Sequence, residues 1–181
     1  NVLSYGSGAG ATWSAFPLTD VRPDGSVWDM YSDKVYQFNG VNSVSGMNIE
    51  HSFPKSWWGH TVNQAYKDLH HLNPSDATAN IQKSNWTMGV VDGELLFDNG
   101  VIKRGRSFLR DPLNSIIVWE PADEYKGDFA RIYMYMVTCY EQFSPNDTWT
   151  SDASMQLNVN NHDTYPLFQD WTTNLLLAWH R

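Results

Sequence analysis

The sequence predicts a single α+β domain in which aromatic-rich helices pack against short strands. Its 181 residues suit one domain of ordinary size better than two. The 9 Trp, 9 Tyr and 8 Phe residues supply a large apolar core and exclude a disordered or low-complexity chain. Helix-like and strand-like hydrophobic patterns both occur, in separate segments. We therefore expect one mixed domain over residues 1–181.

The strand signals are short and lie among turn residues. Residues 1–18 are rich in Gly and Ser and are expected to be irregular. A hairpin is predicted over Val90–Phe97, because Asp92-Gly93 is a strong hairpin turn signal between apolar residues. Further strands are predicted at four segments: Val27–Tyr31, Lys34–Phe38, Val101–Lys103 and Ser115–Trp119.

Three segments carry helix signals. The first begins after Pro74 and continues to residue 85, with Ser75 as its N-cap and Asp76 in its first turn. The second runs from Asp128 to Glu141, because its apolar residues recur at the spacing of one helix face. The third follows Pro166 and runs to the end of the chain.

The charge distribution limits the partners that the chain can attract. With 12 basic and 20 acidic residues, the net charge is −8, which repels nucleic acid when the chain is taken as a whole. Residues 48–110 differ, since 7 basic and 6 acidic side chains give this segment a net charge of +1. The middle of the chain is therefore the part expected to meet a polyanion.

Cysteine usage and the absence of long apolar runs give further limits. The single cysteine, Cys139, excludes an internal disulfide and a Cys-based zinc cluster. No run approaches the ~18 apolar residues of a membrane span, so no membrane partner is expected. No signal peptide is visible, and because the first residue is Asn1 rather than Met, we expect the chain to begin inside a longer gene product.

The candidate chemistry is concentrated in one short window. Four of the six histidines fall within 21 residues: His51, His60, His70 and His71. Histidine suits a general base near pH 7, and a hydrated Mg²⁺ ion takes one or two protein oxygens. Glu50 beside His51, with an amide oxygen from Asn80, supplies that set. These residue types suit hydrolysis of a phosphodiester bond.

The same part of the chain contains three blocks of residues with a distinctive spacing. The blocks are Asn48-x-Glu50-His51-x-x-Pro54-x-Ser56-Trp57, Asp68-Leu69-His70-His71-Leu72-x-Pro74 and Asn80-x-x-Lys83-Ser84-Asn85. They are similar to motifs of the endonuclease I family, whose members are non-specific nucleases of the ββα-metal, or His-Me finger, superfamily, and the chain resembles the bacterial subgroup without disulfides. The resemblance covers about residues 20–181 and implies a ββα-metal core. The family continues past an element like Trp179-His180, so the C-terminal end is expected to be truncated.

The resemblance also implies roles and an activity. His51 would be the general base, and Glu50 and Asn80 the metal ligands. Asn85 is the fallback ligand. Five residues along a helix place it about 140° around from Asn80, so the two side chains cannot both face one ion. The implied activity is metal-dependent, sequence-non-specific cleavage of DNA, with RNA as a further substrate, leaving 5′-phosphates. Mg²⁺, with Mn²⁺ or Ca²⁺ as alternatives, would stabilise the phosphorane and the leaving 3′ oxygen. A secreted or periplasmic monomer is expected.

Supporting or phosphate-binding roles are predicted for six residues: Lys83, Asp68, His70, His71, Arg131 and Trp57. Lys83 stands where the family has Arg, so it would meet a phosphate without the bidentate fork. Arg131 either clamps a phosphate or pairs with Asp128, three residues earlier on a helix. Trp57 either stacks on a base or packs in the core. The basic residues of 103–110 form either a solvated loop or a rail for the DNA backbone.

One local conflict leads to a structural expectation. On a regular strand, Glu50 and His51 point to opposite faces, yet both are assigned to one site. We therefore expect a bulge or loop within Met47–Ser52.

Two other function classes stay open at this point. A carbohydrate-binding module or glycosidase would use the tryptophans as stacking platforms, with Glu50 and Asp68 as acid and base. A catalytically inactive nuclease-fold protein would bind DNA without turnover. A requirement for metal would distinguish the nuclease from the carbohydrate-binding class. Cleavage of DNA, rather than binding alone, would distinguish it from the inactive nuclease fold.

Overall fold

The computed structural model describes residues 3–60, 62–140, 153–159 and 167–181. The α-helices in this part of the chain are α1 (Thr12–Thr19), α2 (Ala77–Lys83), α3 (Asp123–Cys139), α4 (Ala153–Gln156) and α5 (Asp170–His180). The strands are β1 (Met47–His51), β2 (Leu72–Asp76), β3 (Thr87–Met88), β4 (Leu95–Asp98), β5 (Ile102–Ser107) and β6 (Ile116–Pro121). Short 3₁₀ helices span Lys55–Trp58 and Ala65–Lys67. The mixed α+β class is confirmed.

The strands form two small sheets. β1 and β2 pair antiparallel, and the second sheet has the order β3-β6-β5-β4, in which β3 runs parallel to β6. The β1–β2 register runs without a shift from Met47 opposite Asp76 to His51 opposite Leu72. The bulge expected within Met47–Ser52 is therefore wrong.

The chain passes from β2 directly into α2, so that β1, β2 and α2 make a ββα unit. Asp76 ends the strand and caps the helix, and its side chain accepts a hydrogen bond from the Ala79 backbone N–H at 2.9 Å. The predicted cap, Ser75, lies inside β2 instead. A cap of this kind contributes about 1 kcal/mol, which helps to hold a helix of only 7 residues.

The N-terminal segment is more regular than predicted in one place and less regular in others. Helix α1 begins inside residues 1–18, the segment predicted to be irregular, and ends one residue beyond it. Its Trp13 and Phe16 are buried in a small core with Val27 and Leu72, so tertiary packing stabilises a helix that contains Pro17. The strands predicted at 27–31 and 34–38 form isolated bridges only.

The hairpin of the second sheet turns at a different place from the predicted one. β4 and β5 are joined through Asn99-Gly100, not through Asp92-Gly93. The Asn99 side chain accepts from the backbone N–H of Val101 and of Ile102, and Gly100 has φ +87°, which favours glycine. The sequence holds two turn signals here, and the packing of the sheet selects the second.

The long helices follow their predicted patterns but not their predicted starts. α3 begins at Asp123, five residues before Asp128, because Asp123 and Glu124 suit a first helical turn. Glu141, its predicted end, lies outside the described residues, as does Pro166 before α5. The main core includes Phe129 and Met136 of α3, both fully buried.

The same core anchors the Lys55–Trp58 helix. Trp57 and Trp58 are 0% and 1% exposed, and truncating a buried Trp to Ala costs about 3–5 kcal/mol. The backbone around Lys55 is therefore held firmly beside β1. Of the helices in the described residues, none is long and apolar enough to cross a bilayer.

Candidate active site

A cleft of about 840 Å³ runs along β1. All five residues of Met47–His51 line it, which means that the cleft follows the edge of the strand rather than one of its faces. Within the described residues β1 pairs with β2 alone. Glu50 and His51 therefore both reach the cleft from a regular strand, which is why no bulge is needed.

His51 is buried and fixed by its ring neighbours. Its Nε2 lies 3.0 Å from the Tyr66 carbonyl oxygen. Since a carbonyl only accepts, Nε2 carries the proton and Nδ1 is the basic nitrogen of the neutral ring. Tyr5 stacks on the imidazole with a centroid distance of 5.3 Å, and the Tyr66 ring lies at 4.6 Å. The ring is thus held in one tautomer and one orientation.

The surroundings of His51 keep it uncharged. Burial lowers the pKa of His51 to about 2, and the neighbouring His71 and the ammonium of Lys55 act in the same direction. The hydrogen bond to the Tyr66 carbonyl opposes this shift without overcoming it. At neutral pH the imidazole is therefore in the form that accepts a proton.

Glu50 is paired with the lysine that was predicted to bind phosphate. Lys83 Nζ lies 2.6 Å from Glu50 Oε1, and the Lys83 side chain is 0% exposed. Burial raises the pKa of Glu50, while the ammonium of Lys83 opposes that shift and favours the carboxylate. Of the two roles predicted for Lys83, the fully buried and paired ammonium fits the supporting role and not a phosphate contact.

Asn80 and Asn85 both line the cleft. α2 ends at Lys83, and Ser84 has φ +48°, so Asn85 is not on the helix and the helical angle between the two residues does not apply. The Asn85 amide donates to Ser56 Oγ at 3.3 Å. The structure therefore keeps both amides as possible neighbours of a cation.

The donor set fits a hydrated Mg²⁺ ion. Within the described ranges, no three His, Cys, Asp or Glu side chains converge as a metal cage. Mg²⁺ does not need one, because it binds through one or two protein oxygens and keeps several waters. A carboxylate has about four lone-pair positions, so Glu50 can accept from Lys83 and still bind a cation beside Asn80.

His71 supports the site from beneath, without lining the cleft. Its ring centroid lies 5.3 Å from that of His51, and its Nε2 donates to the Ala65 carbonyl at 2.6 Å. Burial lowers the pKa of His71 to about 4. It acts as a neutral packing partner of the His51 ring.

Asp68 and His70 hydrogen-bond to each other in the segment that precedes His71. The Asp68 carboxylate accepts from the His70 ring and from the hydroxyls of Tyr135 and Tyr140. Neither Asp68 nor His70 lines the cleft. The acid–base pair of Glu50 and Asp68 that a glycosidase would use is therefore not assembled.

Arg131 and Trp57 lie outside the cleft as well. Arg131 pairs with Asp128 and lines a separate pocket of about 390 Å³ with His70 and Trp28, so the local ion pair is observed and a phosphate clamp at His51 is not. Trp57 is a core residue and cannot stack on a base.

Three residues near the site were missed by sequence reasoning. Tyr5 lies in a Gly/Ser-rich segment with no local signal for function, and Tyr66 acts through its backbone carbonyl, which any residue type supplies. Lys55 had a signal, because it stands between the motif residues Pro54 and Ser56, and it lines the cleft.

The whole chain is similar in sequence to proteins of a known family. The sequence profile of the family Endonuclease I matches residues 1–181. The extracellular ribonuclease of Bacillus subtilis (strain 168) is 32% identical over 147 residues, which cover 77% of this chain and 45% of the relative. The extracellular ribonuclease of Bacillus amyloliquefaciens is 34% identical over 146 residues, covering 77% and 44%. The chain thus spans less than half the length of these curated relatives.

Proposed function

This chain belongs to the endonuclease I family, and from that membership we propose that it is a metal-dependent, sequence-non-specific endonuclease that hydrolyses phosphodiester bonds of DNA and RNA. One observation carries the proposal. A neutral imidazole, anchored through Nε2, shares a cleft with a carboxylate and an amide from two other positions of a ββα unit: His51, Glu50 and Asn80.

His51 acts as the general base. Its Nδ1 takes a proton from a water molecule while the water oxygen bonds to phosphorus. The bond between phosphorus and the 3′ oxygen breaks, and that oxygen takes a proton from solvent, leaving a 5′-phosphate and a 3′-hydroxyl. The negative charge of a bound phosphate raises the pKa of the imidazole from its low value in the free protein, so that the ring can hold the proton.

Glu50 and Asn80 would hold Mg²⁺, with Mn²⁺ or Ca²⁺ as alternatives, and the ion would offset negative charge on the phosphorane and the leaving oxygen. Lys83 favours the ionised form of Glu50, the form that binds a cation. The ion pair is therefore part of the metal site's support rather than part of the substrate contact.

The absence of sequence preference follows from contacts to phosphates rather than to base edges. The cleft can hold a nucleic acid backbone although the chain has a net charge of −8, since only the local charge decides the contact. Binding should weaken steeply with salt.

The relatives favour two further points. Both are named extracellular ribonucleases, which supports RNA as a substrate beside DNA and supports an exported protein. We expect the exported protein to act as a monomer.

Digestion of plasmid DNA and of RNA in parallel tests the proposal, with EDTA, Mg²⁺, Ca²⁺ or Zn²⁺ present. The wild type should cleave both substrates in Mg²⁺ and neither in EDTA. Glu50→Gln should need more metal for the same rate, while its amide oxygen still accepts from Lys83. Equal cleavage in EDTA and Mg²⁺ contradicts metal dependence, and tight DNA binding without turnover in Mg²⁺ or Mn²⁺ indicates an inactive nuclease fold.

A further inference from the structure

A phosphate contact in the cleft would need a basic side chain other than Lys83, for which that contact was predicted. Lys83 is fully buried against Glu50 and does not line the cleft. Among the described residues that line the cleft, Lys55 is the one lysine or arginine. Any direct contact between a basic side chain of the cleft and a phosphate therefore falls to Lys55.

Lys55 belongs to the basic side chains that have no acidic partner in the part of the chain that the structure describes. Five others are paired with carboxylates: Lys34, Lys83, Arg106, Lys126 and Arg131. Within the described ranges, no carboxylate lies within 4.0 Å of the Lys55 ammonium. Its Nζ lies 5.7 Å from the centroid of the Tyr66 ring, a cation–π distance. A phosphate would therefore not have to displace an ion pair.

The position of Lys55 is coupled to that of His51 through Tyr66. The Tyr66 carbonyl accepts from His51 Nε2, and the Tyr66 ring lies near both the imidazole and the Lys55 ammonium. Burial lowers the pKa of His51 and raises the pKa of Glu50, and the Lys55 ammonium lies close enough to make a smaller, lowering contribution to both. The cation and the base thus face the same part of the cleft.

The backbone of Lys55 is rigid while its side chain is half-buried. The Trp57 N–H donates to the Pro54 carbonyl at 3.0 Å, and the His60 N–H donates to the Lys55 carbonyl at 3.0 Å. The buried Trp57 and Trp58 fix this turn in the core. The ammonium is therefore placed from a fixed base and loses only side-chain freedom on binding.

From these contacts we infer that Lys55 binds a phosphate oxygen of the nucleic acid strand that lies in the His51 cleft, a role that rests on the proposed function. An ammonium is a point charge with three donors and makes no demand on the plane of its partner, which suits an enzyme without sequence preference. The positive charge of Lys83 offsets the negative charge of Glu50. The charge of Lys55 therefore makes the cleft locally positive, although the chain has a net charge of −8.

Binding of a fluorescein-labelled single-stranded DNA tests the inference, measured by anisotropy over a series of KCl concentrations. A His51→Ala background in EDTA prevents turnover. In that background, Lys55→Met should weaken binding about 10- to 100-fold, as expected for loss of a charge-assisted contact, and should reduce the slope of log K against log salt by about 0.7. Lys55→Arg should keep the slope.

The structure places Lys103 on strand β5 and not on the loop predicted as one alternative, and it lies beside Glu120 and Asp123 in a separate cavity, which does not favour a DNA-backbone rail there. Lys103→Met is therefore the matched control, because Lys103 is exposed and does not line the His51 cleft. It should bind with unchanged affinity. Met keeps the apolar stem of the side chain, and equal melting temperatures of the variants show that all of them are folded.

The results separate this inference from the proposed function. If the wild type cleaves nucleic acid in Mg²⁺ but Lys55→Met keeps the affinity and salt slope of its parent, Lys55 is not the phosphate contact and the proposed function stands. If Lys55→Met shows the predicted losses while the wild type cleaves nothing, the contact stands and the activity is wrong.

Discussion

The ammonium of Lys83 lies 2.6 Å from Oε1 of Glu50, in an ion pair that joins α2 to β1 inside the protein. Asn80 lies three residues before Lys83 on the same short helix and lines the cleft, whereas Lys83 faces inward. One helix thus carries Asn80, a proposed metal ligand, and Lys83, the partner of the other proposed ligand, Glu50. The geometry of the candidate metal site therefore depends on this buried pair.

Removing Lys83 alone should destabilise the protein severely. Lys83→Met leaves the Glu50 carboxylate buried without its partner, and breaking a buried pair in this way costs about 3–5 kcal/mol. Adding Glu50→Gln should recover most of that loss while activity stays low. Urea unfolding measures both. Lys34→Met is the control, because the Lys34 side chain is 56% exposed and its pair is worth at most about 1 kcal/mol. If Lys83→Met and Lys34→Met lower the free energy of unfolding by the same amount, the buried pair is not the stronger of the two and the prediction is wrong.

Tyr5 should act on His51 by positioning it. Tyr5→Leu removes the stacked ring and is expected to lower kcat about 2- to 10-fold, the range that corresponds to one aromatic pair, with little change in KM. Tyr5→Phe keeps the ring and loses only the hydroxyl contact to the Ile49 carbonyl, so it should retain the wild-type kcat. Steady-state kinetics test this. A rise in KM at constant kcat would instead indicate that Tyr5 contacts substrate.

The stability of the protein should fall in mild acid because of His71. Burial lowers the pKa of His71 to about 4, whereas the unfolded chain takes up the proton near a pKa of about 6.5. Lowering the pH from 7 to 5 therefore favours the unfolded state by about 2 kcal/mol through this one group.

Urea unfolding at both pH values checks this effect. His71→Gln can still donate to the Ala65 carbonyl but cannot titrate, so its free energy of unfolding should lose about 2 kcal/mol less than the wild type between pH 7 and 5. The same loss in both proteins would show that His71 does not contribute to the pH dependence.

The two amides of the cleft should differ in their effect on metal binding. Asn80→Ala is expected to raise the Mg²⁺ concentration needed for half-maximal activity by about 10- to 100-fold, the range seen when metal-site support is lost. Asn85→Ala should have a smaller effect, because Asn85 lies beyond the end of α2 and its Oδ1 already accepts from Ser84 Oγ. A larger effect of Asn85→Ala would assign the second ligand to Asn85.

Local sequence patterns predicted the parts of the fold that depend on local periodicity. The spacing of Phe129, Tyr133 and Met136 predicted the buried face of α3, and two of the three motif blocks, the first and the third, supplied residues that meet in one cleft. The hairpin was wrong because Asp92-Gly93 and Asn99-Gly100 are both good turn signals, and only the pairing of β4 with β5 decides between them.

The errors at the site have a different cause, since they concern contacts between distant residues. Lysine is seldom fully buried, so nothing near Lys83 in the sequence indicates that it pairs with Glu50, 33 residues earlier. Likewise, side-chain alternation along β1 predicted a bulge, because the sequence does not show that the cleft follows the edge of the strand.

The central claim is that His51 is the general base for hydrolysis of a phosphodiester bond. Single-turnover cleavage of labelled DNA and RNA in Mg²⁺, by wild type and by His51→Ala at equal folded concentration, tests it most directly. The loss of a general base should reduce the rate about 10²- to 10⁴-fold, with binding of the strand retained. Cleavage by His51→Ala at the wild-type rate would contradict the claim.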